Sequence, residues 1–182
     1  MEPTKKLPLF IVTGASCAGK STVCEELFKY EKDYIVMESD ILWNEYYNSH
    51  GDGYSIYRSL WMTLCANISQ CEKPVVLCGC TTPDQFESRP ERALFADIHY
   101  LAVVCRDEAL DGRMRKGRGV ADEGWIKSSK DFNRWLRENA RNTRPPIELL
   151  DTTALTPFEA AKIVNKWVEK IMNEYVQEEE GS

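Results

Sequence analysis

The chain has 182 residues, of which 43% are hydrophobic and 29% are charged, a balance that excludes a disordered chain and suits a single domain over residues 1–182. The 23 Lys and Arg residues are outnumbered by 29 Asp and Glu residues, and the resulting net charge of −6 argues against a nucleic-acid partner. No run approaches the roughly 18 consecutive apolar residues that a membrane span needs, so we expect no membrane partner.

Five short apolar runs alternate with longer amphipathic stretches along the chain. The runs are rich in Val and Ile, as strands of a parallel sheet are when both faces are buried, and they cover residues 8–13, 34–37, 74–78, 99–105 and 147–150. Helical spacing predicts helices over residues 20–30, 54–71, 89–95, 108–116, 121–140 and 156–175. This alternation predicts an α/β fold with a mostly parallel sheet, followed by an acidic, frayed tail over residues 176–182.

The cysteines indicate a compartment rather than a site. There are seven of them, none forms a CxxC pair, and the chain has only two histidines, so a zinc site is not expected. We interpret most of the cysteines as small buried hydrophobic residues in a reducing environment. The first ten residues also lack the pattern of a signal peptide, so the expected location is the cytoplasm.

The strongest motif follows the first predicted strand. Residues 14–21 read GASCAGKS, which matches G-x-x-x-x-G-K-[ST], and an amphipathic helix follows them. In this strand–loop–helix setting the backbone amides wrap a phosphate, a lysine reaches the β- and γ-phosphates, and a hydroxyl ligates Mg²⁺. The motif therefore predicts an ATP and magnesium site, with Lys20 as the catalytic lysine and Ser21 as a metal ligand. The expected nucleotide-binding residues are Gly14, Ala15, Ser16, Cys17, Ala18, Gly19, Lys20, Ser21 and Thr22.

Other features narrow the class of nucleotide-binding protein. A regulatory GTPase needs an Asn-Lys-x-Asp sequence, but Asn165-Lys166 is followed by Trp167 and Val168. A motor or AAA+ machine needs a longer chain and usually acidic residues at the end of a strand, whereas the third predicted strand ends in Cys78-Gly79. The class that remains is a small kinase. Catalysis in such a kinase consists of positioning and electrostatic stabilisation of the moving phosphoryl group.

An acidic residue follows the second predicted strand. Asp40 lies in the sequence ESDIL, and the carboxyl ends of parallel strands meet at the ligand crevice. Its carboxylate can accept the proton of an attacking hydroxyl or help to hold Mg²⁺. The alternative is that Asp40 only caps the segment that follows it, and the two roles do not exclude each other.

Basic residues cluster around two glycines in a segment of about residues 113–134. Such residues on a glycine-hinged segment suit a lid that closes over ATP and neutralises the transition state. The lid candidates are Arg113, Arg118 and Arg134. The alternative is a solvated charged face in which Asp131 and Glu138 pair with the arginines.

Four segments together resemble a known family. With GASCAGKS, ESDIL, CRDEALDGRMRKGRG and LLDTTALTPFEAAKIVNKWV, the chain resembles the small P-loop kinases related to nucleoside and nucleotide kinases, shikimate and gluconate kinases, and the chloramphenicol phosphotransferase and tunicamycin-resistance proteins. The resemblance implies a three-layer α/β/α sandwich of the P-loop nucleoside triphosphate hydrolase fold. It also implies ATP at the phosphate loop, lid arginines on its phosphates, and an acceptor pocket beneath the helices after strands two and three.

The chain departs from adenylate-type kinases where they bind the acceptor phosphate. Trp43 stands where they carry an arginine, and the third strand is followed by Cys78-Gly79-Cys80 without their Asp and Phe-Pro-Arg turn. Arg58, Arg89 or Arg92 could replace the missing arginines as a ligand of an acceptor phosphate. An aromatic pocket without an assured cation suits a neutral, flat or hydroxylated acceptor, although these side chains can equally be core residues. The aromatic candidates are Trp43, Tyr46, Tyr47, Tyr54 and Trp61.

These observations predict an ATP- and Mg-dependent phosphotransferase that acts on a hydroxyl of a small molecule, with a nucleoside or nucleoside-like compound as the leading acceptor. A nucleoside monophosphate kinase is the nearest alternative, and an ATP-binding resistance or regulatory module without phosphoryl transfer is the second. Small kinases of this kind occur as a monomer or a homodimer, and the sequence does not choose between them.

Overall fold

The computed structural model describes residues 6–30, 32–44 and 51–180. Five strands form one sheet in the order β2-β3-β1-β4-β5, and every neighbouring pair is parallel. The strands are Leu9–Thr13, Ile35–Glu38, Val75–Cys78, Ile98–Val104 and Ile147–Asp151. The α/β fold predicted from the apolar runs is therefore confirmed, and the five strands match the five runs.

Six α-helices of the described segments connect or follow the strands. They are α1 Lys20–Leu27, α2 Ser55–Ile68, α3 Asp84–Glu87, α4 Asp107–Gly112, α5 Glu123–Asn139 and α6 Pro157–Glu180. Short 3₁₀ turns at Ser39–Leu42 and Pro90–Leu94, and a π turn at Arg113–Gly117, lie between them.

Two hydrophobic cores lie on opposite faces of the sheet. The side chains of β1 alternate, so that Phe10 and Val12 enter one core while Leu9 and Ile11 enter the other. Helices α1 and α6 cover the first core, whereas α2 and α3 cover the second. Because helices cover both faces, the molecule is a three-layer α/β/α sandwich.

Some predicted helix boundaries are wrong. The helix expected over residues 89–95 is a 3₁₀ turn, Pro90–Leu94, in which the Arg92 amide donates to the Arg89 carbonyl oxygen and the Phe95 amide donates to the Arg92 carbonyl oxygen, each three positions back. The last helix begins as predicted: the Thr156 amide donates to Glu159 Oε2 at 2.8 Å, and the Glu159 amide donates to Thr156 Oγ1 at 3.3 Å. It continues beyond Tyr175 to Glu180, since glutamate is a good helix former.

Candidate active site

The phosphate loop follows β1 and depends on two glycines. A Cβ at Gly14 would lie 2.5 Å from the carbonyl oxygen of Val103, which leaves no space for a side chain. Gly19 has a φ of +118° directly before α1, a conformation that L residues rarely adopt. These two positions let the loop turn sharply from the strand into the helix, so that the first amides of α1 face the loop.

Lys20 is buried inside this loop. Its Nζ donates to the carbonyl oxygens of Gly14 at 2.8 Å and Ala15 at 2.9 Å. Burial lowers the pKa of Lys20, and the nearby thiol of Cys80 and carboxylate of Asp40 partly oppose this shift. A bound phosphate would supply the negatively charged partner that stabilises the protonated form of the Lys20 ammonium group.

A cavity of about 550 Å³ opens in front of the loop. It is lined by the loop from Ser16 to Thr22, by Asp40 and Arg113, and by the turn that leads into α6, including Leu155 and Pro157. Of the nine expected nucleotide-binding residues, Gly14 and Ala15 do not line this cavity, and their carbonyl groups instead hold Lys20.

The three lid candidates occupy different surroundings. Arg113 lines the cavity and donates to the carbonyl oxygens of Ala18 at 3.0 Å and Thr152 at 2.7 Å. Arg118 also lines it, and its guanidinium lies over the ring of Trp125, 5.5 Å from the centroid. Arg134 does not line it: its guanidinium bonds Asp107 at 2.9 Å and lies 3.5 Å from Asp131.

Asp40 lies at the end of β2, in the 3₁₀ turn Ser39–Leu42. The backbone here is held by α2, because Tyr57 Oη and Trp61 Nε1 both donate to the carbonyl oxygen of Ser39. The exposed Asp40 carboxylate accepts no hydrogen bond from the described part of the chain, so the capping role is not observed there. The Ser21 hydroxyl lines the same cavity as Asp40.

A second cavity, of about 380 Å³, lies beneath α2 and α3. The ring of Trp43 lies 5.2 Å from that of Tyr54 and 5.3 Å from that of Tyr57 between centroids. Trp43 and Tyr54 are 45% and 38% exposed, whereas Trp61 is 1% exposed and belongs to the core as well as to the cavity wall. Tyr46 and Tyr47 lie outside the described residues.

Several lining residues have no signal in the sequence. Tyr57, Gln85, Phe86 and Phe132 line the second cavity, and Thr152 lines the first. They come from four separate segments that only the fold brings together. Tyr57 is the exception, since it lies three positions after Tyr54 in the helix that the sequence predicts over residues 54–71.

The three arginines considered as ligands of an acceptor phosphate also differ in whether they line the second cavity. Arg58 lines the second cavity, where its guanidinium lies 5.7 Å from the centroid of the Tyr54 ring. Arg89 lies outside it and donates to the hydroxyls of Ser55 and Ser59. Arg92 also lies outside it and is paired with Glu87 and Asp97. One arginine, Arg58, is thus available to an acceptor in this cavity.

Comparison with known proteins identifies the fold. No family model matches the sequence, and no curated protein matches it. Among solved structures, a gluconokinase from Sinorhizobium meliloti is 18% identical with a TM-score of 0.62, and it covers 95% of this chain and 98% of its own. The tunicamycin resistance protein of Deinococcus radiodurans is 13% identical with a TM-score of 0.63, covering 90% of this chain and 96% of its own. A shikimate kinase from Acinetobacter baumannii is 15% identical with a TM-score of 0.58, covering 90% and 94%.

These structures match nearly the whole of this chain and nearly the whole of their own. Within the part of the chain that the structure describes, no helix is long and apolar enough to cross a membrane. The matches cover at least 90% of this chain, and therefore extend over its parallel sheet and the helices on both faces. The chain therefore has the α/β P-loop nucleoside triphosphate hydrolase fold.

Proposed function

We propose that the protein is an ATP- and Mg-dependent phosphotransferase that acts on a hydroxyl of a small molecule, most readily a nucleoside or nucleoside-like compound. One observation carries this proposal: Ser39 lines the second cavity and its neighbour Asp40 lines the first. A triphosphate in the first cavity and an acceptor in the second would meet at the end of β2, where the carboxylate is accessible.

The loop residues have separate roles in this proposal. Lys20 would leave the carbonyl oxygens of Gly14 and Ala15 for the phosphates and stabilise the charge that moves during transfer. Asp40 would accept the proton of the attacking hydroxyl. Arg118 would reach the phosphates from the lid segment, and Arg134 would do so only after releasing Asp107.

We expect the binding of Mg²⁺ to depend on a bound nucleotide. Among the described residues, no three His, Cys, Asp or Glu side chains form a group that could hold a metal ion. The Ser21 hydroxyl and the Asp40 carboxylate nevertheless supply oxygen atoms to one cavity, and Mg²⁺ commonly takes one or two protein ligands together with phosphate oxygens. A magnesium ion bound there would neutralise charge on the phosphates.

The wall of the second cavity supports a neutral, flat acceptor. Six of the fifteen residues that line it are aromatic, and such side chains favour planar rings. The sugar hydroxyl of a nucleoside would then extend towards Asp40.

Arg58 favours a second candidate, a nucleoside monophosphate kinase. Its guanidinium is half-buried at the cavity and could bind a phosphate on the acceptor. A further alternative, an ATP-binding module without transfer, is supported only by the lack of an acidic residue at the end of β3, which is Cys78.

The test is ADP release with ATP and Mg²⁺ across nucleosides, nucleoside monophosphates and hydroxylated antibiotics. Asp40→Asn should reduce turnover by about 100-fold or more while ATP affinity stays within a few-fold, because a general base contributes on that scale. Asp33→Asn is the matched control, since this exposed aspartate precedes β2 at its other end. Turnover only with monophosphates would favour the second candidate, and an unchanged rate in Asp40→Asn would refute the role of Asp40.

A further inference from the structure

The arginines of the lid segment differ in whether their N–H donors are already in use. Arg115 donates twice to Glu123, at 2.6 and 2.7 Å, and once to Asp111 at 3.0 Å. Arg113 donates to backbone carbonyl oxygens beside the first cavity. Arg118 lines the same cavity, and within the described ranges its guanidinium has no hydrogen-bond or ion-pair partner. The donors of Arg118 are therefore free for a ligand.

The side chain of Arg118 is nevertheless held in place, because it lies against an aromatic ring. Its guanidinium carbon lies 5.5 Å from the centroid of the Trp125 ring. The face of an indole attracts a guanidinium through the ring quadrupole and leaves the N–H groups at the edge of the guanidinium unpaired. A carboxylate in this place would instead occupy donors, as Glu123 does with Arg115. The ring thus orients Arg118 without using its donors.

Trp125 is itself placed by the start of α5 and by the phosphate loop. Its backbone amide donates at 3.0 Å to Asp122 Oδ1, the side chain that caps the helix. Its indole Nε1 donates at 3.4 Å to the hydroxyl of Ser16, which lines the first cavity. This second bond is long and contributes little energy, but it shows that the polar edge of the ring faces the loop. One side chain therefore contacts both the phosphate loop and the lid arginine.

The backbone beside Arg118 is fixed separately, from the core. The Val120 amide donates to the Met114 carbonyl oxygen at 2.9 Å, and both of these side chains are buried. Gly119 between them has a φ of +69°, which favours glycine. The core therefore anchors the backbone of this turn, and the ring of Trp125 constrains the long side chain that extends from it.

We propose that Trp125 is a positioning residue that holds the Arg118 guanidinium at the first cavity with its donors free, and so strengthens binding of the outer phosphates of ATP. This inference rests on the proposed function, in which Arg118 reaches those phosphates. An arginine side chain loses much rotamer freedom when a ligand immobilises it. Because the ring already restricts Arg118 in the free protein, less of this entropy is lost on binding.

The experiment measures binding of ATP and AMP by isothermal titration calorimetry with Mg²⁺ and without an acceptor, so the result does not depend on phosphoryl transfer. Trp125→Leu removes the ring face, whereas Trp125→Phe keeps an aromatic face and removes the indole N–H. Arg118→Ala is made alone and together with Trp125→Leu. Trp135→Leu is the matched control, because Trp135 lies on the same helix, is 37% exposed against 40% for Trp125, and lines neither cavity.

Trp125→Leu should weaken ATP binding about threefold to fivefold, the scale of an exposed cation–π contact, while AMP affinity changes little. AMP is the internal reference because it lacks the β- and γ-phosphates. Trp125→Phe should stay within about twofold of the wild type, since a phenyl ring also attracts a guanidinium. Trp135→Leu should bind as the wild type does. In the Arg118→Ala background, Trp125→Leu should cause no further loss, because the ring acts through the guanidinium.

The same loss from Trp125→Leu with and without Arg118 would overturn the positioning role, and so would a Trp125→Phe variant as weak as Trp125→Leu. Equal weakening of ATP and AMP binding would also overturn it, because the ring would then act on the nucleoside or on the fold. A wild type that binds ATP no more tightly than AMP would leave no outer-phosphate contact to strengthen, and the proposal would fall. Absence of phosphoryl transfer to every acceptor would instead count against the proposed function, and the binding series would still decide the role of Trp125.

Discussion

Replacing Arg113 by alanine should destabilise the protein, because this side chain connects two segments of the first cavity that are distant in the sequence. Its guanidinium donates to the carbonyl oxygen of Ala18 at 3.0 Å, to Thr152 Oγ1 at 3.1 Å and to the Thr152 carbonyl oxygen at 2.7 Å. Ala18 belongs to the phosphate loop and Thr152 follows β5, and 134 positions separate them in the sequence. The alanine variant loses all three bonds at once.

The size of the loss follows from these contacts. A hydrogen bond to a charged group contributes about 1.5–3 kcal/mol, and the half-buried setting of Arg113 reduces this. The carbonyl oxygen of Ala18 keeps one donor, since the Thr152 hydroxyl also donates to it at 3.0 Å. We therefore expect Arg113→Ala to lower the free energy of unfolding by about 3 kcal/mol. In a chain of this length that corresponds to a decrease in Tm of about 6–12 °C.

Thermal and denaturant unfolding followed by circular dichroism would measure this effect. Arg115→Ala is the matched control, because Arg115 lies two positions away and pairs with Asp111 and Glu123 on the exposed surface, where ion pairs contribute little. A double-mutant cycle with Thr152→Val should give a coupling energy of about 1 kcal/mol. Equal Tm values for Arg113→Ala and the wild type, or a coupling energy of zero, would refute the argument.

Three further results are expected. Lys20→Ala should weaken ATP binding by at least about 100-fold in calorimetry, since it removes the charge that faces the phosphates, and unchanged affinity would contradict the phosphate-loop assignment. Burial lowers the pKa of free Lys20 below the ordinary lysine value of 10.5, and phosphate binding requires the protonated form of Lys20. The ATP affinity of the wild type should therefore begin to fall with rising pH below pH 10.5. Calorimetry in buffers of different ionisation enthalpy measures the proton uptake on ATP binding and so checks the sign. Gly79→Ala should lower Tm and turnover together, because its Cβ would lie 2.3 Å from Ser39 Oγ, whereas Gly112→Ala, which meets nothing within 4 Å and keeps a helical φ of −60°, should raise stability by about 0.5–1 kcal/mol.

The three central strands of the sheet, β3, β1 and β4, were predictable from the sequence because they are buried on both faces. The residues of β1 and β3 are all buried, so each strand appears as an uninterrupted apolar run. The strand order was not predictable from these runs, because apolar runs do not specify which strands are neighbours. The π turn at Arg113–Gly117 was likewise read as part of a helix, since its composition is that of a helix.

The two cavities differ in how much of them the sequence contains. The phosphate loop is a contiguous segment whose spacing is fixed by the backbone path around a phosphate, so its residues can be recognised in order. The second cavity has no such constraint, because Gln85 and Phe132 reach it from separate helices and no spacing rule joins them. Positive charge alone did not show which arginines line the first cavity. Arg134 has two carboxylates within 4 Å, whereas no carboxylate of the described residues lies that close to the Arg113 guanidinium.

The junction of the two cavities explains why one fold can serve different acceptors. Ser39 and Asp40 are held from below by α2, through the bonds of Tyr57 and Trp61 to the Ser39 carbonyl oxygen, and from the side by Gly79, whose missing side chain admits Ser39. These contacts hold the backbone at Ser39 and Asp40 relative to the phosphate loop. Side chains such as Gln85 can therefore change without moving Asp40, because they approach the acceptor from α3 and not from β2. Substitutions at Gln85 should accordingly change the KM for the acceptor far more than the KM for ATP, and comparable changes in both would show that the two cavities are not independent.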